Sequence, residues 1–486
     1  MKVIKSLSIK LFLLLIFSPG IAYCIPAFPG AEGFGANTVG GRGGQIIKVT
    51  NLNNSGPGSF RTAVTTPGKR VVVFDVSGII NLKTDLTIST PYLTIAGQTS
   101  PGGIQVSGRA VLINTHDVII QHMRFRVGSH EGTTQDDYDT LDSLKIIGNS
   151  EPAWWPNPAY NILIDHCSIS WGVDEDFEVS LGATNITVQW SIISEGLANA
   201  GHRKSDHSKG FIIWGRIAKT PMKVSFHHNY LAHNIDRNPM ISGSEVAPYP
   251  DVLLDAVNNV VYNFNGGLTM MSYGPAKVNW VHNYVKQGPK SVSHAYEAVY
   301  FPTSFPEDKP HIYVEGNIGS RRLTQSDPQW SVGLEWRNEI LDTKFRAPSR
   351  WIAPSVKTAI ASTSMANCVL SSVGATAPIR DSVDTRVLDD FSKGTGAFLN
   401  NVAYPDDFPT FSAPAPPTDS DNDGMADSWE VSKGLNTKSN DSALDRNNDG
   451  HTNIEEYLHY LSAKSYTFNG DCMPMPIPHI NKLSTK

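Results

Sequence analysis

Short apolar runs return along the chain at close intervals, each bounded by Asn, Gly, His or Asp. VVVFDV spans 71–76, YLTIAG 92–97 and DVIIQHMRFRV 117–127. The series continues with NILIDHCSIS from 161, ITVQWSII from 186, KVSFHHNYL from 223, VLLDAVNNVVYNF from 252, KVNWVHNYV from 277 and HIYVEGNIG from 311. Runs of this length, rich in Val and Ile, read as strands rather than helices. Aligning Ile162, Ile186, Val224, Leu253, Val278 and Ile312 gives steps of 24, 38, 29, 25 and 34 residues, and Asn229, Asn258, Asn283 and Asn317 return at matching places. The short steps suit one coil and the long ones a coil with a loop. That is the pattern of a parallel β-solenoid, in which each coil buries its inward side chains on its neighbours. An antiparallel sandwich would carry more Asn-Gly hairpin signals between adjacent runs. The expected fold is all-β, a parallel β-helix over residues 25–405.

The stretch from Asn161 to Ile193 carries candidate chemistry. Asp174, Asp176 and Glu178 alternate, so an extended chain sends them to one face and Val173, Phe177 and Val179 to the other. Asp142 precedes an earlier strand-like run, and Lys209 (HSKGFIIWG) and Arg237 (HNIDRNP) lie in later ones. Stacked coils bring equivalent places to about 4.8 Å, so residues distant in sequence can line one groove. Carboxylates converging there repel one another unless a divalent cation lies between them, and oxygen-only ligands favour Ca²⁺ over zinc or copper. Read one residue at a time, the same positions also fit a solvated acidic turn with ordinary surface basic residues. His166, His227, His228 and Cys167 sit in strand-like runs and read as packed residues. Trp154 and Trp155, in an insertion, suit either sugar stacking or a loop cap.

Past residue 320 the strand rhythm weakens, and the proline-rich stretch 406–418 reads as a stiff linker. A small α-helical module is expected over 419–464, with a tail over 465–486. Asp419, Asp421, Asp423, Gly424, Asp427 and Glu430 fall at positions one, three, five, six, nine and twelve of an EF-hand-like loop. Asp445, Asn447, Asp449, Gly450, Asn453 and Glu456 repeat that spacing, which suits calcium. Gly434 should end a short helix after the first loop; NIEEYLHYLSAK supports a longer one after the second.

With 486 residues, 40% hydrophobic and 18% charged, the chain has the composition of a folded protein. Lys2, Lys5 and Lys10 precede an apolar run from Leu11 to Phe17 and then Ser18-Pro19-Gly20, the pattern of a secretory signal over 1–24. That run is too short to span a bilayer, and the bulky Tyr23 before Cys24 argues against a lipid anchor, so a secreted, extracellular protein is expected. Losing three lysines and no acids moves the formal charge from −6 to −9. This sign disfavours nucleic acid as a partner, and an anionic substrate then needs local Lys or Arg or bound cations. No membrane span and a monomer are expected. Cys368 and Cys472 can pair in an oxidising compartment.

AFPGAEGFGANTVGGRGG, VTNLNNSGPGSFRTAV, IDHCSISWGVDEDF and HHNYLAHNIDRNP together resemble the secreted pectate lyases of polysaccharide lyase family 1, over roughly Ala27 to Val285. The resemblance implies a right-handed parallel β-helix, a Ca²⁺-dependent groove on one outer face and cleavage of α-1,4-linked polygalacturonate by β-elimination. It implies that Arg237 removes the C5 proton, that Lys209 holds the substrate carboxylate, and that Asp142, Asp174 and either Glu175 or Glu178 bind calcium. Many members carry an arginine five positions after the catalytic one, where this chain has Ser242; Arg203, Lys204 and Arg216 are candidate substitutes. Two alternatives stand beside this reading. One is a lyase for another polyuronate or for esterified pectin, which lacks the charge that calcium would bridge; the other is a non-catalytic carbohydrate-binding solenoid.

Overall fold

The structure, a computed structural model, describes residues 25–129, 139–148, 157–204, 207–247, 250–265, 268–273, 276–291, 296–301, 311–332, 335–336, 339–340 and 346–464. The signal segment, Trp154, Trp155 and Cys472 with the tail lie outside the described residues.

Three parallel sheets run side by side along the chain. The first has ten strands, Gln45–Val49, Arg70–Phe74, Leu93–Ala96, His116–Gln121, Tyr160–Asp165, Thr184–Gln189, Met222–His227, Val252–Val257, Ala276–Val281 and His311–Glu315. The second runs from Gly78–Asn81 to Tyr284–Lys286, and the third from Leu86–Ile88 to Tyr296–Phe301, with eight strands each. From Arg70 onward the chain visits first, second and third sheet in turn, and each strand pairs with its counterparts one coil before and one coil after. This is a parallel β-helix. One continuous apolar core fills it, because inward Val, Ile, Leu and Phe side chains of each coil stack on those of the next.

Register corrects the sequence alignment at one coil. Ile162, Ile186, Val224, Leu254, Val278 and Ile312 form the inward row, so Leu254 rather than Leu253 is the equivalent residue. Leu254 belongs to the apolar cluster inside the β-helix, whereas Leu253, though buried, does not. Because side chains alternate, a slip of one residue exchanges the two faces. The asparagines shift with it. Asn229, Asn259, Asn283 and Asn317 form the buried ladder at the corner between first and second sheets, each amide nitrogen donating to the next amide oxygen at 3.0–3.1 Å. Asn258 instead takes the left-handed corner position, φ 53°, that His228 and His282 occupy on adjacent coils.

The helices Thr363–Ser372 and Ser382–Lys393 cover the second sheet, packing Met365, Val369, Val387 and Phe391 on Ile192, Tyr230, Val260 and Tyr262. Buried charge secures the second of them. Asp381 caps its N-terminus and meets Arg126 at 2.5 Å and Arg124 at 3.0 Å, while Asp384 meets Arg126 at 2.6 Å. Residues 406–418 lie against the β-helix rather than spanning a gap: Phe408 packs edge-on to Trp171 at 5.0 Å and Phe411 lies over Arg124. Beyond them come the helices Asp427–Lys433, closed by Gly434, and Asn453–Ala463. Met425, Trp429, Ile454, Tyr457 and Leu458 bury themselves against Val71, Val73 and Ala96 of the first sheet. Cys167 is a buried free thiol, whereas Cys368 is disulfide-bonded. No described helix is long and apolar enough to cross a membrane.

Burial works against the charge on Asp381, but Arg126 and Arg124 outweigh it and hold the carboxyl well below its ordinary pKa of 3.8. A depressed carboxylate adds stability above its unfolded pKa and loses it as pH falls. Asp381→Asn leaves the arginines under-compensated and should lower unfolding free energy by about 3–5 kcal/mol at pH 7. The gap from wild type should narrow as pH drops below about 4, as read by urea titrations across pH.

Candidate active site

Four consecutive coils of the third sheet begin with a charged residue at one equivalent place. Glu175 pairs in register with Lys209, and Lys209 with Asp236. One coil earlier, Asp142 Oδ1 accepts the backbone N–H of Glu175 at 3.1 Å. Asp142 lies two residues before the strand Leu144–Ile147, Asp174 immediately before Glu175–Ser180, and Arg237 three before Met240–Ser242. The strand starts thus form one charged wall.

Asp142, Asp174 and Glu175 each bring one carboxylate oxygen within 4.8 Å of the others. Gly172 permits the tight turn into this strand, since a Cβ there would lie 1.9 Å from the carbonyl oxygen of Glu175. The alternation of Asp174, Asp176 and Glu178 does not survive in space. The strand starts only at Glu175, so Asp174 is outside its pleat; Asp176 is buried and accepts the N–H of Gly172 at 2.9 Å. Glu178 is not one of the three converging acids; it adjoins Asp142 alone and meets Lys145 at 3.3 Å, which also meets Asp142 at 3.1 Å. Between the two glutamates left open by the sequence, Glu175 is the one gathered with Asp142 and Asp174.

Burial raises Asp142 well above the ordinary carboxylate range, although Lys145 opposes the shift. On Asp174 the same burial effect is overcome by the hydrogen bond from His207 and by neighbouring positive charge, so its pKa falls. Lys209 Nζ meets Asp236 Oδ2 at 2.7 Å, and the Arg237 guanidinium is paired with Glu175. Arg237 has φ 60°, a conformation that costs a non-glycine residue about 1–2 kcal/mol.

Sequence reasoning missed several partners. His207 Nε2 meets Asp174 at 2.7 Å and stacks on His202 with ring centroids 3.7 Å apart; both sit in a loop with no periodic signature. Asp236 and Lys145 had a signal, adjacency to Arg237 and three-residue spacing from Asp142. Trp214, 41% exposed, ends the strand that Lys209 begins. Ser242 Oγ accepts the N–H of Gly215, next to Arg216, while Arg203 pairs with Asp139 and Arg216 with Glu245. The histidines in the strand-like runs are packing residues: His166 and His228 stack on the two sides of Trp190, and burial pulls His227 down to about 4.

In the C-terminal module, Asp419, Asp421 and Asp423 converge within 4.8 Å, and Asp423, Glu430 and Asp441 do the same. Asp427 is turned back to Ser420. In the second loop, Asp445 accepts the N–H groups of Asp449 and Gly450, and Asn447 donates to Asp449 at 3.0 Å. Glu456 follows on the last helix, its pKa raised chiefly by burial. No three acids of that second loop converge among the described residues.

These positions define a parallel β-helix protein with a wall of paired acidic and basic side chains along one sheet. The chain is 34% identical to probable pectate lyase C of Aspergillus terreus over 473 residues, covering 95% of this chain and 99% of that protein. It is 34% identical to probable pectate lyase C of Emericella nidulans over 456 residues, 92% and 95% of the two chains. It belongs to the pectate lyase family and is an enzyme of that class. No protein-family model matches the chain. Among solved structures, a Bacillus subtilis pectate lyase variant is similar at 15% identity and TM-score 0.49, covering 73% of this chain and 98% of that one. The cedar pollen allergen jun a 1 is similar at 16% identity and TM-score 0.46, covering 72% and 93%.

The two glutamates are separable by experiment. In Glu175→Gln, half-maximal activity should need about 10-fold more free calcium, whereas Glu178→Gln should change that requirement less than about 3-fold. The reverse order would transfer the ligand role to Glu178.

Proposed function

We propose that the protein cleaves α-1,4-linked polygalacturonate by calcium-dependent β-elimination, with Arg237 as the base and Lys209 as the group that holds the substrate carboxylate. The observation that carries this reading is the contact of Arg237 with Glu175 at the edge of the Asp142, Asp174 and Glu175 cluster, one coil from Lys209. Three converging carboxylates with oxygen-only donors fit a large, hard cation. When bound there, Ca²⁺ supplies positive charge that neutralises the acids and attracts a uronate carboxylate.

The chain's own residues then divide the work. Glu175 favours the protonated guanidinium, so its charge must be engaged elsewhere for Arg237 to accept a proton. An arginine is ordinarily protonated and a poor base, so added cationic charge beside Arg237 is needed to favour its neutral form. Lys209, steadied by Asp236, orients the carboxylate beside C5. The C5 proton passes to Arg237, the C4–O4 bond breaks, and its electrons leave with the glycosidic oxygen, which then takes a proton. The products are a fragment whose new non-reducing end is a 4,5-unsaturated uronate and a fragment with a new reducing end.

Three further readings accompany this one. The C-terminal loops bind calcium in a structural role. The protein works outside the cytoplasm, supported by the signal pattern over 1–24 and by the disulfide at Cys368. It acts as a monomer on an anionic polysaccharide.

Ultraviolet absorbance of the unsaturated product, followed on polygalacturonate with and without chelator, tests the activity. No product in excess calcium overturns it, and product that survives chelation overturns the calcium role. Arg237→Lys should lower kcat by about 10²–10⁴-fold with KM changed less than about 3-fold. A variant that loses affinity while keeping kcat would remove Arg237 from the base role.

A further inference from the structure

The spacing of the first C-terminal loop assigns its ninth position, Asp427, to the metal, and the side chains are arranged otherwise. Asp427 Oδ1 accepts the N–H of Ser420 at 2.8 Å and Oδ2 accepts its hydroxyl at 2.7 Å, and Asp427 belongs to neither group of converging acids in this loop. Asp441, beyond the loop's closing Glu430, brings a carboxylate oxygen within 4.8 Å of those of Asp423 and Glu430. Asp423 also belongs to the group with Asp419 and Asp421, so the two groups share a residue.

A second observation points to a ligand. Glu430 is 0% exposed, and neither of its carboxylate oxygens has a hydrogen-bond partner; both oxygens of Asp421 lack one as well. Buried carboxylates without partners cost several kcal/mol unless a cation compensates them. Five carboxylates with no nitrogen or sulfur donor suit Ca²⁺.

We propose that Asp419, Asp421, Asp423, Glu430 and Asp441 form a single calcium site, with Asp441 in the place the spacing gives to Asp427. The ion would then fasten two segments of the module to each other and to the β-helix. Asp441 is held by Asn453, whose Nδ2 donates to its carbonyl at 2.9 Å and to Oδ1 at 3.2 Å. Asn453 opens the helix that packs on Val71, Val73 and Ala96. At the other end Asp419 meets Lys48 of the opening strand at 2.8 Å. Gly424, at φ 86°, lies so near that strand that a Cβ would sit 2.9 Å from Ile46. Calcium is thereby a structural clamp that acts from the first sheet through to the last helix.

This proposal rests on the calcium reading of the loops and is independent of the lyase reading, because its test measures binding and proteolysis. The full chain, stripped with chelator, is titrated with calcium by calorimetry, and trypsin cleavage at Lys433 and Lys438, between the two loops, is timed with and without calcium. Asp441→Asn and Glu430→Gln should each lose one site or weaken it at least about 10-fold, and should lose calcium's protection of those bonds. Asp427→Asn should keep both within about 3-fold. Circular dichroism without calcium, matching wild type, establishes that each variant folds; Asp441→Ser replaces Asp441→Asn if that variant does not. Wild-type titration and protection in the folded Asp441 variant overturn the proposal, as does loss of the site in Asp427→Asn with Asp441→Asn unaffected.

Discussion

Parallel pairing of each strand with its counterpart one coil away brings residues tens of positions apart in sequence into contact, and every other feature depends on that register. It is held from inside by rows such as Ile162, Ile186, Val224, Leu254, Val278 and Ile312, and at one corner by the ladder of Asn229, Asn259, Asn283 and Asn317. The two devices are complementary. Apolar stacking provides most of the driving force but little directional information, while each amide satisfies its donors only when its neighbour is in one place. A slipped coil would both bury the wrong face and break the ladder.

On this scaffold the charged wall is a by-product of strand starts. Asp142, Glu175, Lys209 and Asp236 come together because four coils place the beginning of a third-sheet strand at one level. Each base there is paired with an acid: Lys145 answers Asp142 and Glu178, Lys209 answers Asp236, and Arg237 answers Glu175. The charge of the wall is thus met by neighbouring side chains rather than left bare. The same economy appears at the second sheet, where Asp381 and Asp384 balance Arg124 and Arg126 deep inside the molecule.

The C-terminal module shows what fixed spacing can and cannot say. Of the acids in the twelve-residue pattern, Asp419 and Asp421 converge with Asp423, and Asp423 converges with Glu430, because separation along a tight turn is set locally. It could not foresee that Asp427 would bond Ser420 or that Asp441 would approach from the following segment. Those choices come from how two loops and two helices pack on each other and on Val71, Val73 and Ala96.

By itself the sequence determined the coil repeat, the strand-forming runs, the parallel solenoid and the set of residues from which a site would be drawn, since alternation and recurrence are local properties of the chain. It did not determine which of two adjacent leucines or asparagines faces inward: Leu253 and Leu254, like Asn258 and Asn259, are chemically equivalent, and only pairing with adjacent coils distinguishes them. Nor could alternation across Asp174, Asp176 and Glu178 show that the strand begins at Glu175, which separates the three acids and gathers Asp174 and Glu175 with Asp142. His202 and His207 became visible only in space, because a loop without periodicity carries no record of the coil it lies against. Local pattern specified the elements; contacts between coils decided which side chains meet.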